Sequence, residues 1–136
     1  KLLAEAIISR SEFSQGDNEI QNLVGKTSLK QLLAVLKLAH IVIAPDTGPA
    51  HMAVTVGTPV VGLYAHSNPQ RTGPYLYPQY VVSAYAAAIQ LQYKQSIDQL
   101  PWGTRAKGKD LMMQISIADV KKTIERVIHD NYPEMR

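Results

Sequence analysis

The sequence predicts an α/β fold in which a small parallel sheet lies between helices. Apolar runs of strand length alternate along the chain with segments whose apolar residues recur at helical spacing. Two of these runs, IVIA at 41–44 and VVGLYA at 60–65, are apolar throughout, which is typical of parallel strands covered on both faces. Helices that alternate with buried strands favour a parallel sheet, here of about three or four strands.

The elements before the first apolar run are two helices joined through a polar region. Residues 1–9 suit a helix because their apolar side chains share one face. The stretch IQNLVG at 20–25 has room for a short strand. Thr27 or Ser28 is placed to cap a helix through LKQLLAVLKLAH at 29–40. The chain reads as beginning part-way along a helix, so we expect it to be a piece of a longer protein, truncated on its amino side.

The later elements continue the alternation of helix and strand. We predict a helix over 48–56, a strand over 60–65, a loop over 66–79, a strand over 80–84, a helix over 84–97, a loop over 98–110 and a helix over 116–130. Pro and Gly residues punctuate both loops. Ser116 is placed to cap the last helix, whose apolar residues fall on one face.

The composition limits the classes of function. Hydrophobic residues make up 46% of the 136 residues, charged residues make up 18%, and the net charge is +3, which suits one domain, 1–136, with its own core. The chain has no cysteine, so thiolate metal sites and cysteine nucleophiles are excluded. Its basic residues are dispersed, so nucleic acid is not an expected partner. We find no signal peptide and no run of about 18 apolar residues, and we expect a cytoplasmic protein.

The stretch PDTGPAH at 45–51 carries a carboxylate, a hydroxyl, a glycine and an imidazole where a strand gives way to a helix. The carboxyl ends of parallel strands form the usual ligand crevice, and the first amides of the following helix have no partner within it. Together with the helix dipole, these amides form a binding site for phosphate. Gly48 has no β-carbon, so a ligand oxygen can approach the backbone there. The alternative is structural, because Asp46 and Thr47 are also ordinary helix caps and His51 an ordinary helix residue.

A wider pattern surrounds this stretch. Residues 23–65 contain, in order, a G-K-T-S-L turn, an apolar helix, a buried strand, D-T-G-P-A-H, a small-residue helix, G-T-P and another buried strand. NPQRTGPY at 68–75 and ISIADVKKTIERVI at 115–128 follow. This ordered set resembles the glycosyltransferase family that contains the lipopolysaccharide heptosyltransferases, closely over about residues 20–82 and loosely over 115–128.

The resemblance implies the carboxyl-terminal, donor-binding half of a two-domain GT-B glycosyltransferase, with a partial Rossmann-like sheet and flanking helices. It implies an inverting enzyme that transfers heptose from a nucleotide sugar, expected to be ADP-heptose, to the lipopolysaccharide core. Thr47 and Gly48 would supply backbone amides to the donor diphosphate, and Asp46 would bond the donor sugar. His51 would lie one turn into the helix, near the sugar and the phosphate.

Other parts of the expected mechanism lie outside this stretch. Lys26 and Thr27, in the turn before the preceding helix, would border the nucleobase. The resemblance places the general base and the acceptor site in an amino-terminal domain that is missing here, so we assign no catalytic residue and expect this chain alone to be inactive. We expect no cofactor and no metal site, so the helix dipole would act where other enzymes use magnesium. A lipid acceptor also implies peripheral contact with the inner membrane.

Two stretches depart from the family pattern, and two other functions stay open. AHS at 65–67 stands where the family commonly has Gly-Pro-Thr, and we interpret His66 as a solvated loop residue, with a polar contact in the site as the alternative. The segment 84–110 has no assigned role, and Trp102 and Arg105 there could meet an acidic acceptor or anchor the loop. The other functions are a GT-B-like nucleotide-sugar epimerase, which needs carboxylates in its cleft, and a non-catalytic nucleotide-binding module.

Overall fold

The computed structural model of the protein describes Glu5 and residues 20–135. Its helices and strands are α1 (Leu29–Leu38), β1 (Val42–Pro45), α2 (Gly48–Thr55), β2 (Val60–Tyr64), α3 (Pro69–Thr72), β3 (Val81–Ser83), α4 (Tyr85–Tyr93) and α5 (Ile117–Asn131). Short 3₁₀ turns cover Pro78–Tyr80, Ile97–Gln99, Leu111–Gln114 and Pro133–Met135.

The three strands form one parallel sheet in the order β1-β2-β3. Val42 pairs with Val60 in the first ladder, and Gly62 pairs with Val81 in the second. Parallel neighbours need a crossover connection, and α2 supplies it between β1 and β2. The predicted α/β class with a parallel sheet is confirmed, and the carboxyl ends of all three strands open on the same edge of the sheet.

The core surrounds the central strand. Val60 and Val61 of β2 are both 0% exposed, which confirms the prediction of a strand covered on both faces. The same prediction is wrong for β1, because Ile43 keeps 50% of its surface exposed within the part of the chain that the structure describes. β1 is an edge strand there, and residues 33–135 cover only one of its faces.

The chain divides into two compact units, Lys1–Leu32 and Leu33–Arg136, and each is described by itself. The predicted helix over 1–9 lies outside the described residues except for Glu5. The predicted strand over 20–25 is wrong, because residues 20–23 have no regular secondary structure and Val24 and Gly25 form a turn. Asn22 Oδ1 accepts a hydrogen bond of 3.1 Å from the Val24 amide, and Gly25 has a φ of +72°. A side chain that bonds the nearby backbone competes with strand pairing in this way.

Two helix ends are set by single residues. Ser28 rather than Thr27 begins α1, because the Gln31 amide donates to Ser28 Oγ at 3.3 Å and the Ser28 amide donates to Gln31 Oε1 at 2.8 Å. The helix predicted to reach residue 97 ends at Tyr93. Lys94 follows with a left-handed φ of 55°, which stops the helix there.

Candidate functional site

The carboxylate of Asp46 directly follows β1. The loop after β2 places Ser67 beside it, because these parallel strands end at the same edge of the sheet. Ser67 Oγ donates a hydrogen bond of 2.6 Å to Asp46 Oδ2, and Thr72 Oγ1 in α3 donates one of 3.0 Å to the same oxygen. The Asp46 side chain remains 24% exposed. Two hydroxyls thus fix a carboxylate that can still accept hydrogen bonds from a ligand.

Tyr64, the last residue of β2, supports this arrangement from the core. Its side chain is buried, and its hydroxyl donates a hydrogen bond of 2.8 Å to the carbonyl oxygen of Thr72. Burial, with a smaller contribution from the negative charge of Asp46, raises the pKa of Tyr64 to about 12. The phenol therefore stays protonated at neutral pH and keeps donating to Thr72.

His51 lies one turn into α2 and faces the other oxygen of the same carboxylate. Its Nε2 is 3.8 Å from Asp46 Oδ1, and its side chain is 46% exposed. This separation exceeds hydrogen-bond length, so the pair attracts as an ion pair when the imidazole is protonated. The structure therefore brings the side chains of His51 and Asp46 close to each other.

α2 begins with two backbone amides that have no acceptor among the residues that the structure describes. Thr47 is extended, with φ −145° and ψ 160°, and its Oγ1 donates back to the carbonyl of Pro45 at 3.2 Å instead of capping the helix. The Ala50 amide donates to the carbonyl of Thr47 at 3.1 Å. Among the described residues, nothing accepts from the amides of Thr47 and Gly48. Unpaired amides at the positive end of a helix can bind an anion.

Gly48 leaves the approach to these amides open. It is exposed, and a β-carbon built at this position would meet no atom within 4 Å. The φ angle of Gly48 is not positive either, so its backbone conformation is open to other residues. The fold itself therefore does not require glycine here, and the effect of a side chain would fall on a ligand.

Two cavities adjoin the pair formed by Asp46 and His51. The larger has a volume of about 370 Å³ and is lined by His51, Pro78 and residues 69–75. The smaller has a volume of about 100 Å³. The residues that line the smaller cavity are Pro45, Asp46, Leu63, Ala65, His66, Ser67, Arg105 and Met112. Asp46 therefore borders the smaller cavity and its partner His51 borders the larger one.

The segment between α4 and α5 is tied to this edge of the sheet by His66. Its Nδ1 lies 3.2 Å from the carbonyl oxygen of Ala106, and the Ala106 amide donates to the carbonyl of His66 at 2.9 Å. Because a carbonyl oxygen only accepts, Nδ1 carries the proton in this bond. Tyr85 adds a 2.7 Å bond from its hydroxyl to the carbonyl of Thr104. His66 is half-buried, so its interpretation as a solvated residue is wrong, and the tied loop brings Arg105 to the smaller cavity.

The predicted site residues fall into two groups. Asp46, Thr47, Gly48 and His51 lie together at the sheet edge. Lys26 and Thr27 belong to the unit Lys1–Leu32, in the turn before α1, and their roles stay predictions.

Ser67, Thr72 and Tyr64 were not predicted as site residues. Ser67 did leave a signal, because it stands at the threonine position of the family's Gly-Pro-Thr and keeps a hydroxyl there. Thr72 and Tyr64 left none, since their contacts depend on the short helix α3, which falls within the predicted loop over 66–79.

The ionisable side chains at the two cavities are mainly cations, imidazoles and a phenol. Among the described residues that line either cavity, Asp46 is the one carboxylate. No group of three or more His, Cys, Asp or Glu side chains within the described part of the chain is arranged to hold a metal ion. No helix in the described part of the chain is both long enough and apolar enough to cross a membrane.

Comparison with known proteins places this chain in a family. The model of glycosyltransferase family 9 (heptosyltransferase) matches residues 4–100. The lipopolysaccharide core heptosyltransferase OpsX of Haemophilus influenzae is 48% identical over 99 residues, which are 73% of this chain and 28% of that protein. Lipooligosaccharide heptosyltransferase 2 of the same organism is 36% identical over 53 residues, 39% of this chain and 15% of that protein. No solved structure matches the chain significantly.

The chain thus spans less than a third of the length of either relative. The family match nevertheless covers most of the chain, including β1, α2 and every residue of the Asp46–His51 stretch. On this evidence the chain belongs to glycosyltransferase family 9, the heptosyltransferase family.

Proposed function

We propose that this chain is the donor-binding part of an inverting glycosyltransferase that transfers a heptose from ADP-heptose to the lipopolysaccharide inner core. Membership of the family supports glycosyl transfer, and the similarity to a lipopolysaccharide core heptosyltransferase supports the acceptor. One structural observation carries the proposal. The amides of Thr47 and Gly48, which have no acceptor among the described residues, directly follow Asp46 in the sequence. The carboxylate of Asp46 is held by hydrogen bonds and is still partly exposed.

The amides would act on the leaving group. When the bond between the sugar and the diphosphate breaks, negative charge accumulates on the departing phosphate oxygens. Amides that are held in place by the start of α2 stabilise this developing charge more than they stabilise the intact donor. An interaction that strengthens in the transition state lowers the barrier, so a preformed helix start contributes to rate as well as to binding.

Asp46 would act on the sugar. A carboxylate with its Oδ2 held by Ser67 and Thr72 presents Oδ1 in one orientation to the hydroxyls of a bound heptose. Such charge-assisted bonds are stronger than bonds between neutral groups and fix the position of the sugar relative to the diphosphate. Holding the reacting carbon in line with its acceptor is one of the larger contributions to catalysis.

The remaining roles belong to a longer enzyme. The chain spans 28% of OpsX, and we propose that the general base and the acceptor site lie in an amino-terminal domain of a GT-B enzyme. Lys26 and Thr27 would border the nucleobase of the donor, and His51 would contact the sugar or the phosphate. A cytoplasmic location with peripheral contact to the inner membrane remains a prediction.

The two alternative functions are less well supported. An epimerase needs carboxylates in its cleft, whereas the described residues place only Asp46 at the cavities. A non-catalytic nucleotide-binding module would not need a carboxylate that two hydroxyls hold in place beside its nucleotide-binding site.

Calorimetry with ADP and with ADP-heptose tests the proposal. Because Asp46 is assigned to the sugar, Asp46→Asn should weaken binding of ADP-heptose at least about tenfold, or about 1.4 kcal/mol, and change binding of ADP much less. Asp98→Asn is the matched control, since Asp98 is an exposed carboxylate that lines neither cavity. In the longer enzyme Asp46→Asn should also reduce transfer by orders of magnitude. Equal affinity of the wild type and Asp46→Asn for ADP-heptose would show that the assignment of this site is wrong.

A further inference from the structure

Arg105 is a cation at the smaller cavity that the proposed function leaves without a role. The cavity measures about 100 Å³ and has Asp46 and Ser67 on its wall together with Arg105. A cavity of this size has room for a phosphate or a carboxylate group beside Arg105.

The backbone on both sides of Arg105 is held in place. Tyr85 bonds the carbonyl of Thr104 at 2.7 Å, and His66 bonds both polar backbone atoms of Ala106 at 3.2 and 2.9 Å. The carbonyl of Arg105 itself accepts from the hydroxyl of Tyr93 at 3.3 Å. The backbone of this loop is therefore positioned at the cavity before any ligand binds, so that binding has to order only the exposed side chain of Arg105.

The guanidinium of Arg105 has no anionic partner within the described part of the chain. No carboxylate among those residues lies within 4.0 Å of it, although Asp46 lines the same cavity. Its side chain also makes no hydrogen bond to another described residue. The carbonyl oxygen of Arg105 accepts the bond from Tyr93. A guanidinium has five donors in a planar fork and no acceptor, and this geometry matches an oxyanion.

The cavity thus combines two kinds of recognition. Asp46 accepts hydrogen bonds and suits the hydroxyls of a sugar, whereas Arg105 donates them and suits a negative group. Both fit one ligand if that ligand is a sugar bearing an oxyanion. A neutral sugar would leave Arg105 unused, and a simple anion would be repelled by Asp46.

We propose that Arg105 is a specificity-determining residue that binds an oxyanion, phosphate or carboxylate, carried by a sugar substrate of this enzyme. The inference rests on the proposed function, because it takes the ligand of the Asp46 site to be a sugar. Two substrates of the proposed reaction can supply the oxyanion: the donor through its diphosphate, and the core acceptor through an acidic substituent. The experiment distinguishes them.

The test is steady-state kinetics of the full-length enzyme, with ADP-heptose and deacylated core oligosaccharide varied in turn. Arg105→Ala should raise the KM of one substrate at least tenfold and lower kcat much less. Arg105→Lys should restore only part of the affinity, because an ammonium lacks the planar fork. Lys109→Ala, which removes an exposed cation of the same loop that lines neither cavity, is the matched control and should behave as the wild type.

The pattern of effects identifies the source of the oxyanion. If the KM for ADP-heptose rises, Arg105 binds the diphosphate. If the KM for the acceptor rises, the same assay with dephosphorylated acceptor and with carboxyl-esterified acceptor shows which acidic group is bound. With the correctly modified acceptor, the wild type and Arg105→Ala should have the same KM.

A different pattern overturns the inference. If Arg105→Ala and Arg105→Gln both stay within twofold of the wild type for both substrates, Arg105 binds no oxyanion. Asp46→Asn in the same assay separates this result from failure of the proposed function. Loss of transfer in Asp46→Asn together with unchanged Arg105 variants refutes only the role of Arg105. Unchanged kinetics in Asp46→Asn refute the proposed function itself.

Discussion

Replacing Ser67 by alanine tests how Asp46 is held. The change removes the 2.6 Å hydrogen bond from Ser67 Oγ to Asp46 Oδ2 and leaves the 3.0 Å bond from Thr72. A hydrogen bond to a charged group contributes about 1.5–3 kcal/mol to stability. Water reaches the 24% exposed side chain of Asp46 and Thr72 still donates, so we expect the lower end of that range. About 1.5 kcal/mol corresponds to a factor of about 12 in the unfolding equilibrium.

The measurement is urea unfolding of the chain at pH 7 as a double-mutant cycle of Ser67→Ala with Asp46→Ala. If the two side chains are coupled as the geometry indicates, the double variant should be more stable than the sum of the single effects predicts, by about 1 kcal/mol or more. Affinity for ADP-heptose should fall in Ser67→Ala as well, because a less restrained carboxylate must be ordered when the sugar binds. Single effects that add to within about 0.5 kcal/mol would refute the reasoning, since they would mean that the short bond contributes no coupling.

Three further predictions concern the helix start, the buried tyrosine and the core. Gly48→Ala should leave the melting temperature nearly unchanged, because its β-carbon meets no atom within 4 Å, but should weaken ADP binding about tenfold in calorimetry. The pKa of Tyr64 is raised to about 12 in the folded state, above about 10 in the unfolded chain, so its contribution to stability is complete below pH 10 and is lost as the pH rises towards 12. Urea unfolding across this range should show a smaller loss for Tyr64→Phe than for the wild type, and an equal loss would contradict the assignment. Thr58→Val should destabilise by about 1–3 kcal/mol in urea unfolding, because its buried hydroxyl donates to the carbonyl of Leu36 at 2.8 Å, whereas the exposed Thr55→Val should cost much less.

The order of elements could be predicted from the sequence because it depends on local patterns. Uniformly apolar runs indicated β1 and β2, and the Asp46–His51 stretch between them indicated the edge at which a ligand would bind. The error at residues 20–25 is also local, because the Val24 amide donates to Asn22 Oδ1 and the chain turns at Val24 and Gly25. Periodicity reports which residues are apolar but not which side chains bond the backbone.

The partners of the site could not be predicted, because they come from distant parts of the chain. Ser67 and Thr72 reach Asp46 across 21 and 26 residues, and His66 reaches Ala106 across 40. No spacing rule connects such positions in a single sequence. They meet because parallel strands bring the loops that follow them to one edge, which fixes the neighbourhood of each loop but not its individual bonds.

The departure at residues 65–67 and the long loop after α4 form one structural feature. The third position keeps the hydroxyl that Asp46 needs, so the change from Gly-Pro-Thr preserves this part of the site. At the second position His66 stands in place of proline. Its Nδ1–H donates a hydrogen bond to the carbonyl oxygen of Ala106, and a proline side chain has no group that could do so. His66→Pro should therefore loosen the loop around Arg105 while leaving the bond from Ser67 to Asp46 intact. Faster hydrogen exchange at the Ala106 amide than in the wild type is the expected result, and unchanged exchange would show that the imidazole does not hold the loop.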